Sequence, residues 1–210
     1  LYDKYKTYFG RCYMISQIDG EYSYIYDNGL WGVLQYFGNE KEVTFPISYG
    51  QYDISFIDKN FIISSDTISI RIDAKLDIRT NSINKNIYFL VNEKYLEYYS
   101  QYDYAFYSNE MIISSDLYFI YGILNNEITI IKIGSKFEEI IIPDLLDGKK
   151  VVAIGRFSLI ENGVIKRIEI GKNVSYIGKN GLKTTCENGL KIVFNSNIAP
   201  QIEEIIAYDS

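Results

Sequence analysis

Histidine is absent from the 210 residues. Without imidazole there is no Ser-His-Asp or Cys-His nucleophile system, and most zinc sites lose their usual nitrogen ligand. Proline is scarce, at 3 residues, and tryptophan occurs once. Two cysteines, Cys12 and Cys186, have neither the number nor the spacing of a disulfide framework, and are expected to be two separate thiols. No apolar run approaches the ~20 residues that span a bilayer. Basic residues do not outweigh acidic ones: the net charge is −6, which disfavours binding to a phosphate backbone. The chain begins at Leu1 with neither methionine nor an apolar leader, so it reads as a mature or trimmed segment.

What is present favours strands. Isoleucine outnumbers leucine 36 to 13, and there are 21 tyrosines and 11 phenylalanines. β-branched and aromatic side chains suit a pleated, half-buried surface, whereas surface helices draw on Leu, Ala, Glu and Lys. At 47% hydrophobic and 23% charged residues, the chain has an ordinary globular balance.

Self-similarity organises the rest. Residues 51–66 and 101–116 match at nine of sixteen positions at a spacing of 50, each closing on Ile-Ile-Ser-Ser-Asp. Residues 31–46 align with 121–143, pairing Trp31-Gly32 with Tyr121-Gly122 and Pro46 with Pro143; residues 1–9 align with 95–104. The chain therefore reads as one block of about 95 residues and most of a second. A finer period runs through the last third. Ile154-Gly155 recurs as Ile177-Gly178, and Ile168-Glu169-Ile170 as Ile192-Val193-Phe194, 23 and 24 residues on. That period suits one short strand per coil, each coil burying its isoleucines against the next.

The segment 140–159, IIIPDLLDGKKVVAIGRFSL, resembles the BspA-like leucine-rich repeat, whose pattern runs I-x-I-P, then D-G-K, V-x-x-I-G and A-F. Residues 165–182 resemble the next unit, with Gly181-Leu182 in place of Ala-Phe, and 190–200 the start of a third. Residues 32–46 are similar to the opening of such arrays, and 86–99 to their closing strand and Tyr-containing turn, although Val91-Asn92 stands where proline is usual. The resemblance implies a mainly β, leucine-rich-repeat-type solenoid, right-handed, with parallel strands and few or no long helices. It divides the chain into an opening or cap segment, or the end of a preceding repeat block, at 1–31, a first repeat block at 32–99, a junction leading into the second block at 100–136, and a second block at 137–210. It also implies a non-catalytic, extracellular or cell-surface protein that binds proteins or glycans of a host or neighbouring cell. A structural spacer and a carbohydrate-binding module using tyrosine platforms are the alternatives. No enzyme activity, cofactor, metal, nucleic acid or membrane span is expected.

The chemistry-bearing residues fit that picture. Asp66 and Asp116 occupy matching places in the 50-residue alignment, but each follows Ser-Ser after an Ile-Ile pair, which marks a polar turn whose carboxylate caps its own backbone. Asp144-Leu-Leu-Asp147-Gly148 lacks the alternating oxygen ligands of a calcium loop and reads as a turn between strands. Asn173-Val174-Ser175 is a glycosylation sequon. Tyr95, Tyr98, Tyr99, Tyr102, Tyr104 and Tyr107 crowd with Phe106 into thirteen residues. Such a run suits recognition, since each ring gives a large contact at low entropic cost, and it equally suits packing over the end of a coil stack. These six tyrosines are the candidate partner-binding residues; Trp31 is expected to be a core or capping residue.

Overall fold

In the computed structural model, residues 15–134, 137–159, 165–183 and 190–203 are described. Cys12, Cys186 and the 1–9 arm of the long alignment lie outside them. The chain divides into two units, Leu1–Asn109 and Glu110–Ser210.

The described part of each unit opens with a three-stranded antiparallel meander. In the first it is β1 (Ile15–Asp19), β2 (Tyr22–Asp27) and β3 (Leu30–Tyr36); the β2–β3 turn places Asn28 and Gly29 at φ 51° and 90°. Two positive φ values in a two-residue loop give the turn whose twist matches the flanking strands, and Asn-Gly is its preferred sequence. The coils then begin. β3 pairs in parallel with β6 (Tyr52–Ile62), and β6 with β8 (Asp77–Ile78). A second sheet stacks β4 (Glu42–Thr44), β7 (Ser69–Ile72), β9 (Tyr88–Val91) and β10 (Ala105–Ser108), all parallel. A small hairpin, β5 (Ser48–Tyr49) against the start of β6, stands between the two sheets in sequence. After β9 the chain makes a 3₁₀ turn at Glu93–Tyr95 and a single helical turn, α1, at Leu96–Tyr99.

The second unit repeats this plan. Its meander is β11 (Ile112–Ser115), β12 (Phe119–Leu124) and β13 (Glu127–Ile133), with Asn125 and Asn126 in the positive-φ turn. β13 continues in parallel to β16 (Lys149–Ile154), β18 (Tyr176–Ile177) and β20 (Gln201–Ile202). The other sheet holds β14 (Glu139–Ile142), β17 (Arg167–Ile170) and β19 (Lys191–Phe194). The D-G-K step of the motif is the turn of the hairpin from β15 (Leu145–Leu146) to β16, where Asp147 and Gly148 have φ 50° and 73°.

The architecture is thus the mainly β solenoid of stacked parallel strands that the period predicts. The Ile-Gly recurrence is a ladder: Ile130, Ile154, Ile177 and Ile202 stand in register on neighbouring strands, as do Ile140, Ile168 and Ile192. Ile130, Ile154 and Ile168 are fully buried. Glycine follows the ladder isoleucine because coils touch there. A Cβ on Gly178 would sit 2.8 Å from the backbone nitrogen of Arg156 in the coil below.

Of two alignments, one fails as a structural equivalence and the other holds only at its proline end, where Pro46 and Pro143 come just after the counterpart strands β4 and β14. Trp31 lies on β3, whose counterpart is β13, so its partner position is Ile128 and not Tyr121. Residues 51–66 run along β6, whereas 101–116 pass through β10 into β11, the antiparallel edge of the other unit. Alternation of apolar and polar residues looks the same in any half-buried strand, whichever sheet receives it. The division at Asn109 falls inside the 100–136 stretch read as a junction. Residues 100–109 close the first unit through β10, and 110–133 open the second through its meander. The meander likewise joins 15–31 to the first block, because β2 and β3 pair along their whole length.

Ile154→Asp and Ile177→Asp each place an unpaired carboxylate in the ladder. Both variants are expected to lose cooperative unfolding of the second unit in thermal denaturation, and Ile168→Ala to cost ~2–5 kcal/mol. Wild-type melting in either Asp variant would contradict the ladder.

Candidate functional site

Stacking parallel strands leaves a last strand with one row of backbone groups unmatched. In the first unit β8 is that strand in one sheet, and β10 in the other. Asp77 and Arg79 turn their backbone toward β6, with the Arg79 amide donating to the Ile57 carbonyl at 3.0 Å. Residues 74, 76, 78 and 80 therefore face outward, and tyrosine hydroxyls meet them. The Leu76 amide donates to the Tyr99 hydroxyl at 2.9 Å, and that hydroxyl donates to the Ala74 carbonyl at 2.7 Å. The Ile78 amide donates to Tyr102 at 3.2 Å, and Tyr104 donates to the Thr80 carbonyl at 3.0 Å. Tyr98 adds a long bond to the Leu76 carbonyl at 3.4 Å. The side chains thus replace the strand that would come next.

The helical turn makes this possible. Residues 96–99 are wound, so Tyr98, Tyr99 and Tyr102 fall on one side over the coil end, and β10 then returns to pair with β9. Their rings complete the core: Phe106 lies stacked between Tyr99 (4.8 Å) and Phe89 (4.9 Å). Tyr99 and Tyr104 are buried, and Tyr98 and Tyr102 half-buried. Tyr95 is half-buried at the start of the turn, with Lys94 Nζ over its ring. Tyr107 points to the other face of β10, edge-on to Tyr88. Burial pushes the Tyr99 hydroxyl up to about 12, and burial first of all raises those of Tyr102 and Tyr104. Of the six sequence-selected tyrosines, the structure brings Tyr98, Tyr99, Tyr102 and Tyr104 together as this cap and leaves Tyr95 and Tyr107 at its margins.

A second aromatic group, which the sequence reading did not single out, covers the β5–β6 hairpin of the first unit. Trp31 lies 5.2 Å from Tyr26, 4.9 Å from Tyr49 and 5.9 Å from Tyr52, measured between ring centroids. Tyr49 also stacks on Tyr24 at 4.5 Å and its hydroxyl donates to Gln17. Trp31, Tyr26 and Tyr49 are half-buried, whereas Tyr52 and the adjacent Leu30 are 49% and 44% exposed. The second unit shows that the fold does not require these rings. At the register positions of Tyr26, Trp31, Tyr49 and Tyr52 it carries Ile123, Ile128, Leu146 and Lys149. The four aromatics are spread over 27 residues of sequence, so no local run announces them.

Beneath this face the packing is tight. Gly32 is required by the Phe56 ring, whose nearest atom would lie 2.3 Å from a Cβ there. The other face of Phe56 carries the Arg79 guanidinium at 3.6 Å, itself paired with Asp27 and Asp77.

Three of the carboxylates singled out in the sequence accept hydrogen bonds. Asp116 accepts from the amides of Tyr118 and Phe119, both at 2.7 Å, while Asp66 lies inside a turn closed by the Thr67 amide on the Ser64 carbonyl, its own amide donating to Ser64 Oγ at 3.2 Å. Asp144 accepts from the Lys172 amide at 2.7 Å, and Asp147 from the Tyr121 hydroxyl. Among the described residues, no three of His, Cys, Asp or Glu converge as metal ligands, and no helix is long and apolar enough to cross a membrane. The sequon amide, Asn173 Nδ2, donates to the Asp144 carbonyl at 3.0 Å.

Neither a family profile nor a curated protein matches the chain. Among solved structures it is similar to a leucine rich cell surface protein from Faecalibacterium prausnitzii, at 13% identity over 82% of this chain and 47% of that one, with a TM-score of 0.32. The chain thus spans about half the length of that protein. At that score the likeness adds nothing to a fold that the strand registers already define.

Two outcomes are expected from the cap. Tyr99→Phe strands the Leu76 amide and Ala74 carbonyl and should cost ~1–3 kcal/mol in denaturant unfolding, whereas Tyr95→Phe should stay within about 0.5 kcal/mol of wild type. The raised Tyr99 pKa gives the alkaline sign. Folding favours the protonated phenol, so its contribution is complete below the unfolded pKa of about 10 and is lost as pH rises toward about 12. Tyrosinate absorbance should therefore develop in two phases, the cap phenols ionising together with unfolding; a single unperturbed titration would contradict the burial.

Proposed function

We propose that the protein is a non-catalytic repeat protein of the cell surface or extracellular space that binds proteins or other cell-surface components. Its contact face is the Trp31, Tyr26, Tyr49 and Tyr52 cluster of the first unit. The observation that carries this reading is the internal comparison: two neighbouring hairpins of the repeated scaffold carry Tyr26, Trp31, Tyr49 and Tyr52 where their counterparts carry Ile123, Ile128, Leu146 and Lys149. Tyr and Trp present large, rigid contact area with few rotatable bonds, and they dominate recognition surfaces. The cap tyrosines support the face indirectly, since their hydroxyls are engaged by the backbone of 74–80. The BspA-like pattern in 140–182 supports the cell-surface setting. An acidic chain without histidine, in which Asp116, Asp144 and Asp147 accept hydrogen bonds within the chain, supports a role in binding over one in catalysis. A spacer remains the second reading, supported by the coil stack itself, which extends a chain without needing a ligand.

The test is interferometry of the purified protein over immobilised fibronectin, fibrinogen and mucin-type glycans. Saturable binding at micromolar concentration or tighter is expected on a protein surface, with Trp31→Ala and Tyr52→Ala each weakening it by ~1–2 kcal/mol. Tyr98→Ala should leave affinity unchanged once its stability loss is allowed for. Binding confined to glycans would establish the carbohydrate-binding module, and silence on every surface the spacer.

A further inference from the structure

Charge separates the two units at the same place as their aromatic residues. Residues 15–54, which carry the Trp31 cluster, hold six acidic residues and one basic residue, Lys41. The corresponding stretch of the second unit, 112–151, holds six acidic and four basic residues. The difference is sharpest in the β5–β6 hairpin. Tyr52 and Asp53 stand where the second unit has Lys149 and Lys150, since the pairs Tyr49–Tyr52 and Ser48–Asp53 match Leu146–Lys149 and Leu145–Lys150. An exposed ring followed by a carboxylate is thus exchanged for two ammonium groups at the same register. On the other side of the cluster Tyr49 stacks on Tyr24, whose phenol is raised by burial and then by the Asp19 carboxylate.

The first unit also shows how its surface holds a cation. The Arg79 guanidinium lies 3.6 Å over the Phe56 ring, with Asp77 at 2.9 Å and Asp27 at 3.1 Å. A planar guanidinium fits the face of a ring, and carboxylates close by strengthen the attraction. We propose that the Trp31 cluster binds an arginine-bearing segment of a partner, its guanidinium laid against the rings of Tyr52 and Trp31 within the acidic surround. The inference rests on the reading of this cluster as the contact face, and adds the charge and side-chain type of what docks there. Discrimination is built in. Lys149, at the position of Tyr52, repels the same group, so the cation docks on the first unit and not on the second.

Trp31 is the single tryptophan of the chain, so its emission reads the face without a label. The probe is a synthetic peptide of alternating glycine and arginine, titrated into the intact protein beside peptides with lysine, citrulline or glutamate in place of arginine. A saturable change in Trp31 emission is expected with the arginine peptide and a weaker one with lysine. Citrulline, which keeps the shape and loses the charge, should give none, and glutamate none. Affinity should fall with added salt, because screening weakens exposed charges. Tyr52→Lys, which sets the second unit's residue in the first, should weaken the arginine peptide about tenfold or more. The scaffold already holds lysine at that register, so its melting temperature should stay near wild type; if it does not, the citrulline comparison decides on unaltered protein. Equal binding of the arginine and citrulline peptides, no response to either, or binding that folded Tyr52→Lys protein retains would overturn the proposal. So would a response gained only on removal of residues 1–14, which carry Lys4, Lys6 and Arg11 and would then be the occupant. The immobilised proteins separate the two readings. Binding there that needs Trp31 and that the arginine peptide does not displace keeps the contact face and overturns the cationic partner, whereas silence on every surface and with every peptide overturns both.

Discussion

The unmatched backbone at the end of a parallel ladder governs this protein. Each coil satisfies the one before it and exposes a fresh row of amides and carbonyls, so a stack grows without ever closing on itself. The first unit meets the problem at both ends with local means. Its described part begins with an antiparallel meander, whose tight turns need only positive φ at Gly20 in one and at Asn28-Gly29 in the other. It ends by bringing phenol oxygens to the outward groups of residues 74 to 80. A tyrosine hydroxyl both donates and accepts, so one residue answers an amide and a carbonyl two positions apart, as Tyr99 does.

That solution explains the tyrosine excess near residue 100: the hydroxyls of Tyr98, Tyr99, Tyr102 and Tyr104 meet the backbone of residues 74 to 80. The same ring that offers its hydroxyl to the edge packs its face into the core, as Phe106 shows by lying between Tyr99 and Phe89. A second aromatic group gathers around Trp31, where the other unit carries Ile123, Ile128, Leu146 and Lys149 at the same register positions. Duplication supplies the comparison: a position filled by a ring in one unit and by an aliphatic chain or a lysine in the other is not one at which the fold demands the ring.

The repeat was legible because its cause is periodic. Ile154-Gly155 and Ile177-Gly178 recur where the ladder isoleucine is followed by a contact too close for a side chain, and that pairing leaves an unmistakable spacing. The ends were harder to read. The run from Tyr95 to Tyr107 is visible as composition, but whether its hydroxyls meet backbone or solvent depends on β8, twenty residues earlier. Trp31 showed nothing of its neighbours, since Tyr26, Tyr49 and Tyr52 reach it from three strands. The alignment of Trp31-Gly32 with Tyr121-Gly122 failed because a glycine serves two causes here. Gly32 makes room for the Phe56 ring from β6, while Gly122 makes room for Met111, just before β11.

The meanders that open the described part of each unit also set the order in which the chain can fold. Their contacts span only a few residues across two-residue turns, and hairpins of that kind form within ~1–10 μs. The coils that follow join residues some 19 to 28 positions apart, each against a surface that must already exist. Loop-closure entropy therefore favours growth outward from the meander, one coil at a time, in the direction of the sequence. Each coil still waits on the next to cover its isoleucines, and the backbone of residues 74 to 80 waits on tyrosines that come about a coil later.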